Sequence, residues 1–368
     1  MTEFENYIRQ GEPEQRERAN NWSIAIGLQA VDGLKPSEYL LSAARENIEG
    51  RISLDEVRER IHAYYQSKEG RELEARETGK EEADKVSENI TRLLAEKTFA
   101  FNVACLANIH RRIFAGVMKH AGEFRKYNIS KREWVLDGES VIYAPFDLLT
   151  ESLEYDFEQE RKFDYSLLNE EQRLAHLMRF VAGIWQIHPF AEGNTRTTAV
   201  FTIFYLRKFG YILNNKPFAD YSLFFRNALV RANYENRSAG ITPTFEPLTN
   251  FFRSILYGEK HELRNRYLHV RAAEILPQNV TIGDKLNNNG DKIDIIGDKS
   301  AINQEIGDKK QQILTFISSH GEVKAEDVSK HIGLGASRTR DYLKQLVVEG
   351  KLLALGANKN RTYKMKKL

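Results

Sequence analysis

Leu174-Ala-His-Leu-Met-Arg-Phe-Val-Ala-Gly-Ile-Trp-Gln-Ile187 runs straight into His188-Pro-Phe-Ala-Glu-Gly-Asn-Thr-Arg196, and the chain then stays mostly apolar to Phe209. Each flanking segment is apolar on nearly every face, the mark of a helix buried in a core rather than lying on a surface. Pro189 disfavours helix at His188 and so ends the first segment there. Asn194 reads as the N-cap of a second helix running to about residue 209. A mainly α protein with these two helices at its centre is the expected fold class.

The loop between them carries chemistry. Backbone N–H groups at the start of a helix lack partners, and the macrodipole adds positive potential, so phosphate oxygens are favoured there. Arg196 in the first turn adds charge-assisted hydrogen bonds to the same anion. Glu192 would repel phosphate unless a hard cation bridges the two, and Mg2+ commonly binds through one carboxylate plus substrate phosphates. His188 titrates near neutral pH and suits a general base acting on a hydroxyl. Phe190 reads as the ring that anchors the loop. Base, metal ligand, anion cradle and cationic clamp together describe phosphoryl or nucleotidyl transfer.

Upstream, the first hundred residues read as helices. Asn21 to Val31 has apolar residues at helical spacing, and a second helix starts at Ser37 and ends near Gly50. Ser53 with Glu56 forms a capping box, and Ile52 with Val57 a hydrophobic staple. From Lys68 to Lys85, 12 of 18 residues are charged, which predicts a solvated face. Between Trp134 and Tyr143, Asp137-Gly138 separates two apolar runs, the pattern of a β-hairpin.

The loop resembles the Fic signature, His-x-Phe-x-(Asp/Glu)-Gly-Asn-Gly-Arg-x-x-Arg, and the likeness extends over roughly residues 100–257. Ala121-Gly-Glu-Phe-Arg125 belongs to it. So does the 134–143 hairpin, similar to a flap that aligns the target segment, and so does Phe225-Arg-Asn-Ala-Leu-Val-Arg-Ala-Asn233. The resemblance implies a protein adenylyltransferase of bacterial type: AMP passes from ATP to a hydroxyl of a target protein, including the enzyme itself. It makes His188 the general base, Glu192 the Mg2+ ligand, and Gly193, Asn194, Thr195 and Arg196 the phosphate cradle, with Asn233 at the nucleoside. Thr195 stands in place of the second Gly and Ala199 in place of the final Arg. Two alternatives remain open: a DNA-binding regulator whose nucleotide-sensing Fic core is catalytically weak, and a phosphotransferase using another donor.

Ser42-Ala-Ala-Arg-Glu46-Asn47 is similar to the (Ser/Thr)-x-x-x-Glu-(Gly/Asn) inhibitory motif of that family. Ser42 and Glu46 fall on one helix face. With Ala199 in place of the motif's second Arg, Glu46 is expected to reach Arg196 or to repel phosphate.

The 368 residues predict two to three domains. The division expected is a helical and inhibitory region over 1–99, a catalytic domain over 100–275, a linker over 276–308 and a winged helix-turn-helix over 309–368. The linker is rich in Asn and Gly and repeats Ile-Gly-Asp-Lys three times. The last module shows three helices and a hairpin, with 13 Lys and Arg against 5 Asp and Glu. Arg338, Arg340 and Lys344 fall on its third helix and are the candidate DNA contacts, protein docking being the other use of such a module.

Overall charge is near balance, 54 basic against 52 acidic residues, so no global field advertises nucleic acid. The single cysteine, Cys105, permits no internal disulfide and fits a reducing compartment. No apolar run approaches the ~18 residues of a membrane span. A cytoplasmic protein is expected, without membrane contact; a homo-oligomer is among the partners the sequence allows.

Overall fold

The capping box at Ser53 forms as the sequence expects. In the computed structural model, which describes residues 4–214, 216–272, 310–332, 339, 342–344, 346–347, 350–356 and 361–366, the Glu56 N–H donates to Ser53 Oγ at 3.2 Å. The Ser53 N–H donates back to the Glu56 carboxylate at 2.7 Å. This box starts α4 (Leu54–Gln66), which follows α1 (Glu5–Gln10), α2 (Pro13–Gly27), a 3-10 turn over Leu28–Asp32 and α3 (Glu38–Ile48). Ser37 caps α3, its Oγ accepting the Leu40 N–H at 3.1 Å. The charged stretch divides into α5 (Lys68–Arg76) and the start of α6 (Lys80–Leu94). It is not solvated throughout: Asp84 is fully buried and accepts hydrogen bonds from Ser37 and from the Tyr65 hydroxyl.

The centre contains α7 (Val103–Ile113), α8 (Leu149–Lys162), α9 (Glu170–Ile187), α10 (Asn194–Lys208), α11 (Lys216–Asp220), α12 (Ser222–Ala232) and α13 (Glu246–Leu256). Helices α9 and α10 are the two apolar segments, and α10 is buried from Asn194 to Leu206. Around them Phe101, Phe157, Phe180, Phe201 and Tyr205 form one aromatic cluster with ring centroids 4.9–6.5 Å apart. Each buried ring contributes roughly 1.5–3 kcal/mol of transfer free energy, which makes this pair of helices a rigid platform for the loop between them. Ile24, Ala25 and Leu28 of the N-terminal region and Val86, Ile90 and Leu93 of α6 join the same core. Met1–Asp284 accordingly form one compact unit and Lys285–Leu368 another.

The hairpin expected at 134–143 is present as a reversal rather than a ladder. Asp137 and Gly138 both take positive φ, 59° and 87°, and the Glu133 N–H donates to the Glu139 carbonyl at 2.9 Å. The apolar run before the turn curls into a 3-10 turn over Trp134–Leu136 and buries Val135 and Leu136 in the core. Core burial on that side replaces the pairing that two extended strands would have made.

The second unit holds α14 (residues 310–320), α15 (Ala325–Ile332) and helical residues 339, 342–344 and 346–347. A three-stranded antiparallel sheet completes it: β1 (Val323–Lys324), β2 (Leu352–Leu355) and β3 (Thr362–Met365), in the order β1-β3-β2. The β2–β3 hairpin is the one the alternating pattern anticipates, with Leu352 opposite Met365 and Leu355 opposite Thr362. Ile313, Ile317, Val328, Leu343, Leu346, Leu352 and Tyr363 form its core. Lys344 is exposed, whereas Arg338, Arg340 and the linker 276–308 lie outside the described residues.

Candidate active site

His188 ends α9 with φ 52°, one of two described non-glycine residues in the left-handed region. Its Nδ1 lies 3.1 Å from the Trp185 carbonyl, so the Nδ1 proton is donated there and the lone pair is left on Nε2. That Nε2 is buried without a hydrogen-bond partner. Burial, followed by the positive charge of Lys131, holds the imidazole well below its usual pKa against the opposing Trp185 hydrogen bond. The ring is neutral at pH 7 and presents an acceptor, the state a general base needs. Tyr143 packs on it at 4.3 Å and Trp185 meets it edge-on at 5.2 Å.

The loop is pinned from several sides. Phe190 is buried and stacks on His110 at 3.8 Å. His110 accepts the Gly122 N–H through Nδ1 at 2.8 Å and donates through Nε2 to the Glu192 carbonyl at 3.0 Å. Burial pulls its pKa down to about 4, consistent with this neutral tautomer. Arg125 donates to the His188 carbonyl at 2.8 Å and to carbonyls of Tyr127, Ala144 and Ile187, tying the 125–144 segment to the end of α9.

Gly193, not Asn194, is the residue before the first turn of α10, and the reason is steric. Its φ is +75°, and a Cβ there would sit 2.2 Å from the Phe114 ring. Asn194 is therefore the first helical residue rather than the N-cap, and its side-chain amide spans the loop. Oδ1 accepts from the Phe190 N–H at 2.9 Å and Nδ2 donates to the Phe190 carbonyl at 2.7 Å. Thr195 is buried, its Oγ1 accepting the Trp185 indole N–H at 2.9 Å. The hydroxyl thereby joins α9 to α10 across the site, a contact a glycine could not make.

Arg196 is 2% exposed: Nη2 donates to Glu82 at 2.8 Å and Nη1 to the Gln29 side chain at 3.0 Å, while Nε lies 2.9 Å from the Asp32 carboxylate as an ion pair without hydrogen-bond geometry. The expectation that Glu46 reaches Arg196 is overturned. Glu46 pairs with Arg60 at 3.0 Å, Ser42 is exposed, and Asn47 is a buried bracket between the Trp22 indole and the Ile52 carbonyl. Asn47 thereby joins α3 to α2, and Glu46 joins α3 to α4. A local signal for Glu82 does exist: Thr78-Gly-Lys-Glu-Glu82 repeats the Ser/Thr-x-x-x-Glu spacing, with Ala83 where Gly or Asn is expected.

Glu192 is 64% exposed and its carboxylate lies 3.2 Å from Lys131 Nζ. Among the described residues no group of three or more His, Cys, Asp and Glu could hold a metal ion. A Mg2+ that takes most of its ligands from phosphate and water needs only one such carboxylate, so Glu192 fits that kind of ion. Asn233 caps α12 and spends its amide hydrogens on the carbonyls of Leu229 and Ala182, at 2.9 and 3.1 Å. It does not line the cavity beside His188. That cavity is bounded by Asp32, Lys131, Glu133, His188, Thr195 and Arg226, among others, and has a volume of about 30 Å3. It accommodates a water but not a ligand needing the ~300 Å3 of a small-molecule pocket.

Residues 100–206, which include the loop, α9 and all but the last two residues of α10, match the model of the Fic/DOC family. The chain carries a Fic/DOC domain. Domains of this family in general use a nucleoside triphosphate and Mg2+ and transfer nucleoside monophosphate groups to proteins. Residues 309–359 match the model of FaeA-like proteins. Among solved structures, the chain is similar to a Fic family protein from Desulfovibrio desulfuricans G20, with 14% identity and a TM-score of 0.44 over 99% of this chain and 94% of that one. It is also similar to the type IV secretion system effector protein BepA, at 19% identity and a TM-score of 0.37 over 55% of this chain and 67% of that one. No curated protein matches. Among the described residues of the Fic-domain chain, no helix is long and apolar enough to cross a membrane.

Proposed function

We propose that the chain transfers AMP from ATP to a hydroxyl side chain of a protein, itself included. The observation that carries this reading is the buried, unpartnered Nε2 of a neutral His188 beside the N-terminus of α10. A target hydroxyl gives its proton to Nε2 as its oxygen attacks the α-phosphorus, and the bond to the β-phosphate breaks with departure of pyrophosphate. N–H groups of the first turn of α10, together with Arg196, hold the phosphates. Glu192 would hold Mg2+, which supplies neutralisation of phosphate charge. Incubation with Mg2+ and either α- or γ-labelled ATP tests the reaction: α-label retained on protein, and lost in His188→Ala, supports it. Label from the γ position alone points to a kinase instead.

The engaged state of Arg196 favours a restrained enzyme. Asp32 and Glu82 occupy the guanidinium that phosphate would use, so we infer that these carboxylates, rather than Glu46, hold activity down. For the second unit, exposed Lys344, Arg361 and Lys366 support contact with DNA phosphates. Such binding falls steeply with salt; the absence of salt-dependent binding would assign the unit to protein docking.

A further inference from the structure

The loop and the first turns of α10 supply a single guanidinium, Arg196, because the residue one turn on is Ala199, fully buried in the core. A nucleoside triphosphate brings several negative charges, and more accumulates on the departing pyrophosphate as the bond to the α-phosphorus breaks. Phosphoryl-transfer sites answer this with cations placed on the outer phosphates. One arginine already divided between Asp32 and Glu82 is a small supply.

The cavity holds another from a different element. Arg226 projects from α12 and lines the same space as His188, Gly193, Asn194 and Thr195. Its guanidinium lies 2.6 Å from the carboxylate of Glu133, itself 1% exposed and contributed by the segment that ends at the Asp137-Gly138 turn. The cations here follow one pattern: Lys131 is matched by Glu192, Arg196 by Asp32 and Glu82, and Arg226 by Glu133. Taking a carboxylate out of water is costly unless a cation meets it closely. A carboxylate so placed in a cavity wall occupies the position a phosphate oxygen would take on the same fork.

We propose that Arg226 is the second phosphate-binding arginine of the site, holding the outer phosphates of the nucleoside triphosphate, and that Glu133 is the internal anion the nucleotide displaces. The inference rests on the nucleotide-transfer reading above. In the reaction, the target oxygen forms its bond to the α-phosphorus and its proton passes to His188 Nε2. The bond from that phosphorus to the β-phosphate oxygen breaks, and the electron pair leaves on pyrophosphate, where Arg226 meets the charge.

The competing role is a strut that only fastens the 131–140 segment to α12. Titration of the full chain with ATP and with AMP, for wild type, Arg226→Gln and Glu133→Gln, separates the two. Loss of a charge-assisted contact to the outer phosphates weakens ATP binding by about 10- to 100-fold in Arg226→Gln while AMP binding stays within about 2-fold. Glu133→Gln, which keeps the shape and removes the competing charge, tightens ATP several-fold. Equal loss of ATP and AMP in both variants identifies a strut and overturns the proposal while leaving nucleotide transfer intact. If Arg226→Gln melts below the assay temperature, Glu133→Gln decides alone: tighter ATP supports the proposal, and weaker or unchanged ATP overturns it. A wild-type protein that binds neither nucleotide overturns the transfer reading and this inference with it.

Discussion

Lys131 Nζ stands 3.2 Å from Glu192 Oε2, joining the segment before the Asp137-Gly138 turn to the one carboxylate of the 188–196 loop. The same ammonium is the leading charge that keeps His188 neutral, second only to burial. A base works only in its neutral form, and here the folded pKa lies well below the ordinary 6.5. Transfer rate should therefore stay level as pH falls through 6.5 and decline only in more acidic solution. In Lys131→Met the inflection moves up toward the ordinary histidine value. A pH–rate profile of both proteins, with an inflection at 6.5 already present in wild type, would falsify the assignment.

Release of Arg196 should raise activity. Glu82→Gln or Asp32→Asn frees one edge of the guanidinium, and self-labelling with α-labelled ATP is expected to rise several-fold. Glu46→Gly should match wild type, because its carboxylate engages Arg60 rather than Arg196. A rise in Glu46→Gly with none in Glu82→Gln would restore the sequence-based assignment.

Gly193→Ala should be severe. A Cβ at φ +75° meets the Phe114 ring at 2.2 Å, and strain of this kind plus overpacking costs about 2–4 kcal/mol. Thermal denaturation should show a clear drop in melting temperature together with loss of labelling. Trimming the ring in a Phe114→Leu background should recover part of the melting loss.

His110 ties folding to pH. Its pKa is about 4 when folded and near 6.5 when unfolded. The unfolded chain binds this proton first as pH falls, so the stabilisation is complete above about 6.5 and is lost progressively toward 4. The full effect is on the order of 3 kcal/mol. Chemical denaturation at pH 7 and pH 5 should differ, and His110→Gln should reduce the difference; an equal difference in the variant would place the acid sensitivity elsewhere.

What the sequence made legible is local. The apolar period of 174–187 and 195–209, the Ser53–Glu56 box, the Ser37 cap and the C-terminal hairpin all depend on residues a few positions apart, and all are present. The side chains that complete the site meet across long separations: Lys131 and Glu192 are 61 positions apart, His110 and Glu192 82, Arg196 and Glu82 114. Periodicity carries no record of such encounters. Glu46 shows the converse, a spacing that matches a motif while its carboxylate pairs with Arg60 rather than Arg196. Asn194 was legible as a residue needed at a helix start, but its exact place depended on the Phe114 ring beneath Gly193.

Glu82 and Asp84 sit two residues apart on α6, one paired to Arg196 and the other holding Ser37 and Tyr65. Between and beyond them the helix sends Ala83, Val86 and Ile90 into the interior. Glu82 thus reaches Arg196 from a helix fixed in the core, while Asp32 reaches it from the 3-10 turn over Leu28–Asp32. Freeing Arg196 in the proposed reaction therefore asks only that side chains exchange partners, phosphate for carboxylate, with both backbones left in place.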